Sequence, residues 1–290
     1  MSQNPDLTLG LEYWDTQEAT IDGVLGGFGE GPLPRVESLG SRQFLMSVRN
    51  DLCRVPSVLR RLDAPALDAP RRRARALDIG AGRPPFVTHT PSDTQGDSGI
   101  GRVTACTLLP LVDDVVLVEP AEHFISKAMD DAPDWQGISD LTKSVTFVQM
   151  PLQSFDASQP VPADSFRIGC GADLSNPEVG YDVVWCQWCL GHLTDTDLVK
   201  FLKQAKMALR APEDPRHPRS AGVIVLKENT TEDGENGEPV SIYAEDDSTF
   251  TRSDAAWKRV FKEAGLSLIK EEVQEGLPEG LLEVKSYCLR

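Results

Sequence analysis

Four polar-tipped side chains crowd into the nine residues Gln187–Asp195: Gln187, Trp188, His192 and Asp195. They follow Tyr181-Asp182-Val183-Val184-Trp185-Cys186, a run dominated by β-branched and aromatic residues with no alternation. Such a run reads as a strand buried on both faces. Ligands of open parallel α/β sheets sit outside the carboxyl ends of the strands. A buried strand that ends in Gln-Trp and reaches a His within a few residues is therefore a candidate site floor. A plain core strand entering a helix capped by Thr194 accounts for the strand and the cap, but not for that crowding. Cys186 and Cys189 form a C-x-x-C, yet no second pair exists to complete a zinc site. They read as packing residues, and no metal is expected.

Two further strand ends carry chemistry. Ala76-Leu77-Asp78-Ile79-Gly80-Ala81-Gly82 is a strand running into a D-x-G-x-G turn, which lets a ligand approach the backbone. It falls short of the G-x-G-x-x-G of dinucleotide sites. Asp114-Val115-Val116-Leu117-Val118-Glu119 is a second buried strand ending in an acid, where doubly wound folds hold a ribose diol. A nicotinamide dehydrogenase is disfavoured, because the third glycine is missing and the chain has no Tyr-x-x-x-Lys.

The elements that must position these groups alternate. Further strands are expected at Val145–Val148, Gly222–Asn229, Leu266–Glu272 and Glu283–Leu289. Helices are expected at Leu9–Thr20, Arg35–Leu52, Ala121–Met129, Asp197–Leu209 and Arg252–Ala264. That alternation implies a mostly parallel sheet with helices on both faces. Ile21–Gly29 holds four glycines among apolar residues and reads as a thin loop able to cover a ligand. The expected organisation is one domain over 1–290. Residues 1–53 supply N-terminal helices and the covering loop, 54–75 a linker rich in Pro, Ala, Asp and Arg, and 76–290 the core. The run Arg71–Arg75 reads as a solvated basic run rather than a nuclear signal.

The 290-residue chain is 40% hydrophobic and 26% charged, as globular proteins are. Its net charge of −16 argues against a nucleic-acid partner and suits a cationic one. No apolar run is long enough for a membrane span, and Met1–Leu9 lacks a signal-peptide core. Six cysteines without regular spacing point to a reducing compartment. The cytoplasm is expected, with the nucleus as a second location.

Taken together, the motifs resemble the S-adenosylmethionine-dependent protein α-N-terminal methyltransferases, which methylate the α-amine of proteins beginning X-Pro-Lys once Met is removed. The similar segments are Tyr13-Trp14, Asp22-Gly23-Val24-Leu25-Gly26-Gly27, Leu77–Gly82, Ile100-Gly101-Arg102-Val103-Thr104, Gln187-Trp188 with Gly191–Asp195, Lys227-Glu228-Asn229, and Asp247-Ser248 with Arg252. The resemblance implies a Rossmann-like, seven-stranded class I methyltransferase fold with an N-terminal helical addition. It implies S-adenosylmethionine as cofactor, bound by Gly80, Gly82, Arg102, Glu119, Leu152, Gln153 and Gln187. It implies a peptide channel of Trp14, Leu25, Trp188, Asn229 and Thr249, with Asp247 and His192 as catalytic bases. The implied partners are N-terminal peptides of X-Pro-Lys proteins, ribosomal proteins among them. The chemistry agrees. An α-ammonium, with a reference pKa of about 7.7–8.0, must lose a proton before it can attack a methyl sulfonium. Trp188 offers a flat face for proline.

Three departures stand out. Residues 83–99 are rich in Pro, Ser and Thr and separate the glycine turn from Ile100-Gly101-Arg102, where the family is continuous. Ala244 stands where a substrate-facing Asp is expected, beside Glu245, and Glu119 replaces the more usual Asp. The alternatives are a class I methyltransferase for another amine, or a non-catalytic relative disabled by the 83–99 insertion.

Overall fold

The structure, a computed structural model, describes residues 4–29, 31–53, 72–80, 100–170 and 180–290. Gly82, the whole 83–99 segment and residues 54–71 of the expected linker lie outside them.

Among the described residues ten strands form one sheet: β1 (Arg75–Ile79), β2 (Asp114–Glu119), β3 (Ser144–Gln149), β4 (Phe166–Gly169), β5 (Val183–Gln187), β6 (Val223–Thr231), β7 (Ser241–Ala244), β8 (Thr249–Ser253), β9 (Leu268–Val273) and β10 (Glu283–Leu289). The order is β4-β3-β2-β1-β5-β6-β10-β9, with the β7–β8 hairpin attached to the far end of β6. Strands β3, β2, β1, β5 and β6 are mutually parallel, whereas β4, β10 and β9 run antiparallel to their neighbours. The strand order reverses between β2–β1 and β1–β5. That switch point is where such sheets open a crevice at their carboxyl edge.

Successive residues of a strand face opposite sides, and the core accordingly divides in two. Val115, Leu117, Trp185 and Val225 pack under α3 (Leu33–Val48) and α4 (Glu122–Asp131). Val116, Val118, Val184 and Leu226 pack under α5 (Asp195–Met207) and α6 (Asp254–Glu263). Burial on both faces explains why the central strands read as unbroken apolar runs. Helix α5 begins two residues before the expected Asp197, with the Thr194 side chain capping it and accepting from the Asp197 N–H.

Two observations correct the sequence reading, and a third adds to it. The sheet has ten strands rather than seven. The core seven are extended by β4 at one edge and by the β7–β8 hairpin, with β4 and β7 short and partly exposed and β8 burying Thr249, Arg252 and Ser253. The Ile21–Gly29 stretch is not loop throughout. Ile21–Val24 forms one helical turn (α2), capped by the Thr20 hydroxyl, and buries Val24 and Leu25 before Gly26 and Gly27 turn the chain at positive φ. The chain after Gly101 enters a π-helical turn at Thr104–Leu108, a rare form that accommodates one extra residue per turn.

The N-terminal helix α1 (Leu7–Asp15) lies over the carboxyl end of the sheet. Asp6 caps it, accepting from the N–H groups of Thr8 and Leu9. The Asp6 N–H itself donates to Ser248 Oγ at 2.8 Å, tying the helix start to the β7–β8 turn.

Candidate active site

A cleft of about 620 Å³ opens at the carboxyl ends of β1 and β2 and runs beneath α1. Its floor is the turn that leaves β1. Gly80 has φ +76°, and a Cβ there would lie 2.5 Å from Cys189 Cβ, so only glycine allows β1 and the turn after β5 to approach. Beside it, Glu119 closes β2 and lines the cleft, with Oε1 accepting from the Ala121 N–H at 3.0 Å. That bond aims the carboxylate of a residue only 4% exposed. Leu152 and Gln153 form the wall after β3, and Gln153 Nε2 donates to the His192 carbonyl at 3.3 Å.

The turn after β5 supplies the other wall. Trp188 adopts φ +53°, a sparsely populated conformation for a large side chain, and its N–H donates to the Lys227 carbonyl. The one-turn helix Leu190–His192 then presents His192 to α1. Trp14 Nε1 donates to His192 Nε2 at 3.1 Å. Helix α1 approaches so closely that a Cβ on Gly10 would lie 3.1 Å from His192 Nδ1 and 3.7 Å from the Asp247 carbonyl oxygen. Gly10 thus brings His192 and the Asp247 turn to one place. Asp247 is buried, and its Oδ1 accepts from Thr249 Oγ1 at 2.7 Å.

The expected site residues divide accordingly. Gly80, Glu119, Leu152, Gln153, Trp14, Trp188 and His192 line the cleft together. Asp247 and Thr249 adjoin it across Gly10 as a hydrogen-bonded pair. Gln187 ends β5 with Oε1 accepting from Trp185 Nε1 at 3.1 Å, behind the lining. Asn229 lies on β6 and Leu25 in the core, neither on the cleft wall. Arg102 departs most from expectation. Its guanidinium is buried against the Glu37 carboxylate and Ser38 Oγ rather than facing the cleft. Glu37 also accepts from Lys227 Nζ at 2.9 Å, and all three side chains are buried. A buried charge leaves water only when paired, and Glu37 offers Arg102 that partner.

Several contributors were not singled out. Cys189 lines the cleft, and Gly10 lets α1 close on it. A glycine inside the helical pattern Leu7–Asp15 was the available signal. Asp78 was read only as part of the glycine turn. It is fully buried, accepts from Thr104 Oγ1 at 2.6 Å through Oδ2, and has no partner for Oδ1 among the described residues. Burial pushes its carboxyl up to about 7.

Gln187 Nε2, Trp188 Nε1 and Asn229 Oδ1 are likewise buried and lack partners among the described residues. Buried polar groups are nearly always hydrogen-bonded, and of these residues Trp188 lines the cleft, where a polar ligand would meet its Nε1. S-adenosylmethionine suits the lining. Ile79, Val118 and Met150 offer apolar surface for a nucleobase, Glu119 an acceptor for a ribose diol, and Gly80 a backbone without side-chain obstruction.

Comparison with known proteins agrees with this geometry. A family profile described as AdoMet dependent proline di-methyltransferase matches residues 86–290. The "Alpha N-terminal protein methyltransferase 1" of Schizosaccharomyces pombe is 30% identical over 280 residues, spanning 96% of this chain and 93% of that protein. The "N-terminal Xaa-Pro-Lys N-methyltransferase 1" of Xenopus tropicalis is also 30% identical, over 96% of this chain and 92% of its own length. A solved SAM-dependent methyltransferase of Leishmania major superposes with a TM-score of 0.63 at 28% identity, covering 97% of this chain and 81% of that one. The parallel sheet, its reversed strand order and the cleft at its switch point are those of a class I methyltransferase, and the chain belongs to the family of AdoMet-dependent proline di-methyltransferases.

Proposed function

We propose that this chain methylates the α-amine of protein N-termini that read X-Pro-Lys. One observation carries the reading. Trp188 and His192 lie on a single turn at the cleft, and α1, through Gly10, brings the Asp247 turn against that His. An aromatic face, a carboxylate and an imidazole are what a proline-flanked ammonium requires.

The cofactor, when bound, supplies an electrophilic methyl group on a sulfonium. Glu119 and Gly80 would hold its ribose and backbone-facing side, with Leu152 and Gln153 along the wall. The chain's remaining task is to orient an amine and remove its proton. His192 Nε2 receives the Trp14 indole N–H, so its lone pair is engaged and Nδ1 carries the proton in that arrangement. Asp247 is therefore the better principal base. Its carboxylate attracts an arriving ammonium and takes its proton, and Thr249 orients it. Trp188 would stack on the proline ring. The acidic turn Glu245-Asp246, exposed at the tip of the β7–β8 hairpin, suits a following lysine where Ala244 provides no acid. The proposal extends to ribosomal proteins as substrates and to the cytoplasm as the site of action.

Steady-state kinetics on Ser-Pro-Lys and Ser-Ala-Lys peptides test the reading. The expected outcome is a preference of about tenfold or more in kcat/KM for the proline peptide, the scale a shaped apolar contact supports. Equal use of both peptides would remove the X-Pro-Lys assignment.

A further inference from the structure

The turn from Trp188 to Asp195 is held from outside at both of its poles. The one-turn helix Leu190–His192 is too short to satisfy its own ends, which leave N–H groups open at the start and carbonyls open at the finish. Both ends are buried, so water is a poor substitute. At the first end, Glu228 Oε1 accepts from the N–H groups of Cys189 and Leu190, each at 3.0 Å. At the other, Arg252 donates through Nη1 to the Leu190 carbonyl at 3.2 Å and through Nη2 to the Leu193 carbonyl at 2.6 Å. Its Nε reaches Asp195 Oδ1, in the first turn of α5, at 3.0 Å. Glu228 is 4% exposed and Arg252 0%. Phe250 and Trp257 flank the guanidinium with ring centroids 5.3 Å from its carbon. The carboxylate comes from β6 and the guanidinium from β8, so two separate strands grip one turn.

Within the X-Pro-Lys reading, we propose that Glu228 and Arg252 are positioning residues that set peptide discrimination. They act by fixing the strained Trp188 backbone and the height of His192 against α1. The argument is geometric. Trp188 holds φ +53°, which persists only where surrounding contacts over-determine it. Cys189 and Leu190, the next two residues, are those whose N–H groups Glu228 takes. Leu190 and Leu193, whose carbonyls Arg252 takes, bracket His192. Releasing either pole frees the ring face and the imidazole together while leaving the β1 and β2 ends of the cleft in place.

The test uses Glu228→Ala, Glu228→Gln and Arg252→Lys in the full chain. Glutamine keeps an oxygen that accepts both N–H groups, alanine does not, and lysine cannot bridge two carbonyls and a carboxylate. In Glu228→Ala, kcat/KM on Ser-Pro-Lys is expected to fall about 100-fold, as misplacement of about 1 Å can cause. Ser-Ala-Lys should fall much less, so that the ratio between the peptides collapses. Glu228→Gln should restore most of that ratio. Arg252→Lys repeats the collapse if the alanine variant does not fold. A lowered Tm with the parent ratio retained, or a glutamine variant as defective as alanine, would overturn the proposal. Should the parent itself not distinguish the peptides, the X-Pro-Lys reading fails by that result alone. Positioning is then decided by NMR of the His192 ring, one of four histidines in the chain. Its resonance should move in Glu228→Ala and stay near the parent position in Glu228→Gln. An unmoved resonance in the alanine variant would refute it.

Discussion

The two ends of the sheet differ in how they treat buried carboxylates, although Arg167 Nε at the amino end also lacks a partner among the described residues. At the amino end, carboxylates are saturated. Asp182, just before β5, accepts from Arg72, Arg210 and the Arg75 N–H, while Asp114, which opens β2, accepts from Arg73 and Ser144. Arg49 adds a bond to the Asp182 carbonyl at 2.8 Å. At the carboxyl end, Asp78 Oδ1, Gln187 Nε2, Trp188 Nε1 and Asn229 Oδ1 are buried without partners among the described residues. The same strands carry both ends, so fold class does not dictate the difference. It separates work done for stability from work reserved for a ligand.

The strongest way to break that contrast is to remove Asp182. Asp182→Ala takes the carboxylate away from the buried Arg210 guanidinium, and a loss of about 3–5 kcal/mol in chemical denaturation is expected. Turnover per folded molecule should not change. A large fall in kcat at full stability would erase the distinction between the ends.

Asp247→Asn is the converse. Stability should stay within about 1 kcal/mol, since asparagine keeps the acceptor for Thr249. Turnover on Ser-Pro-Lys at neutral pH should fall about 100-fold, the lower range for a general base. Raising the pH should return part of it, as more amine arrives neutral. Full turnover at neutral pH would dismiss Asp247 as the base.

Asp78 sharpens the comparison through pH. Its folded carboxyl, pushed up to about 7 by burial, holds a proton where the unfolded one, at about 3.9, has lost it. Its contribution to stability is therefore complete at low pH. It declines by about 1.4 kcal/mol per pH unit between roughly pH 4 and 7, and stays constant above. The stability difference between Asp78→Asn and the parent should follow that slope in urea titrations. A difference independent of pH would mean that Asp78 is ionised throughout.

Glu119→Ala is expected to have the smallest effect. Calorimetry should show S-adenosylhomocysteine binding weakened about tenfold, the worth of a charge-assisted hydrogen bond, with peptide binding little altered. Equal weakening of both would remove Glu119 from the cofactor's ribose.

Much of this arrangement was legible in the sequence. The bounds of β2 and β10 coincide with the expected strands Asp114–Glu119 and Glu283–Leu289. Central strands buried on both faces announce themselves, whereas β4 and β7 do not, being only four residues each and partly exposed. The Trp188–His192 turn was visible because its residues are contiguous. Its clamp was not, since Glu228 lies 38 and 39 residues from the N–H groups it binds and Arg252 about sixty from its carbonyls. Arg102 illustrates the same limit. A motif positions its backbone, but the choice between a cofactor and Glu37 depends on α3, which is 65 residues away.

The central claim concerns which amine is methylated. Fragmentation mass spectrometry of a Ser-Pro-Lys peptide incubated with the enzyme and S-adenosylmethionine assigns each added methyl to a residue. The account predicts methyl groups confined to the N-terminal serine nitrogen and none on an N-acetylated copy of the peptide. Methylation of the lysine side chain, or of the acetylated peptide, would contradict it.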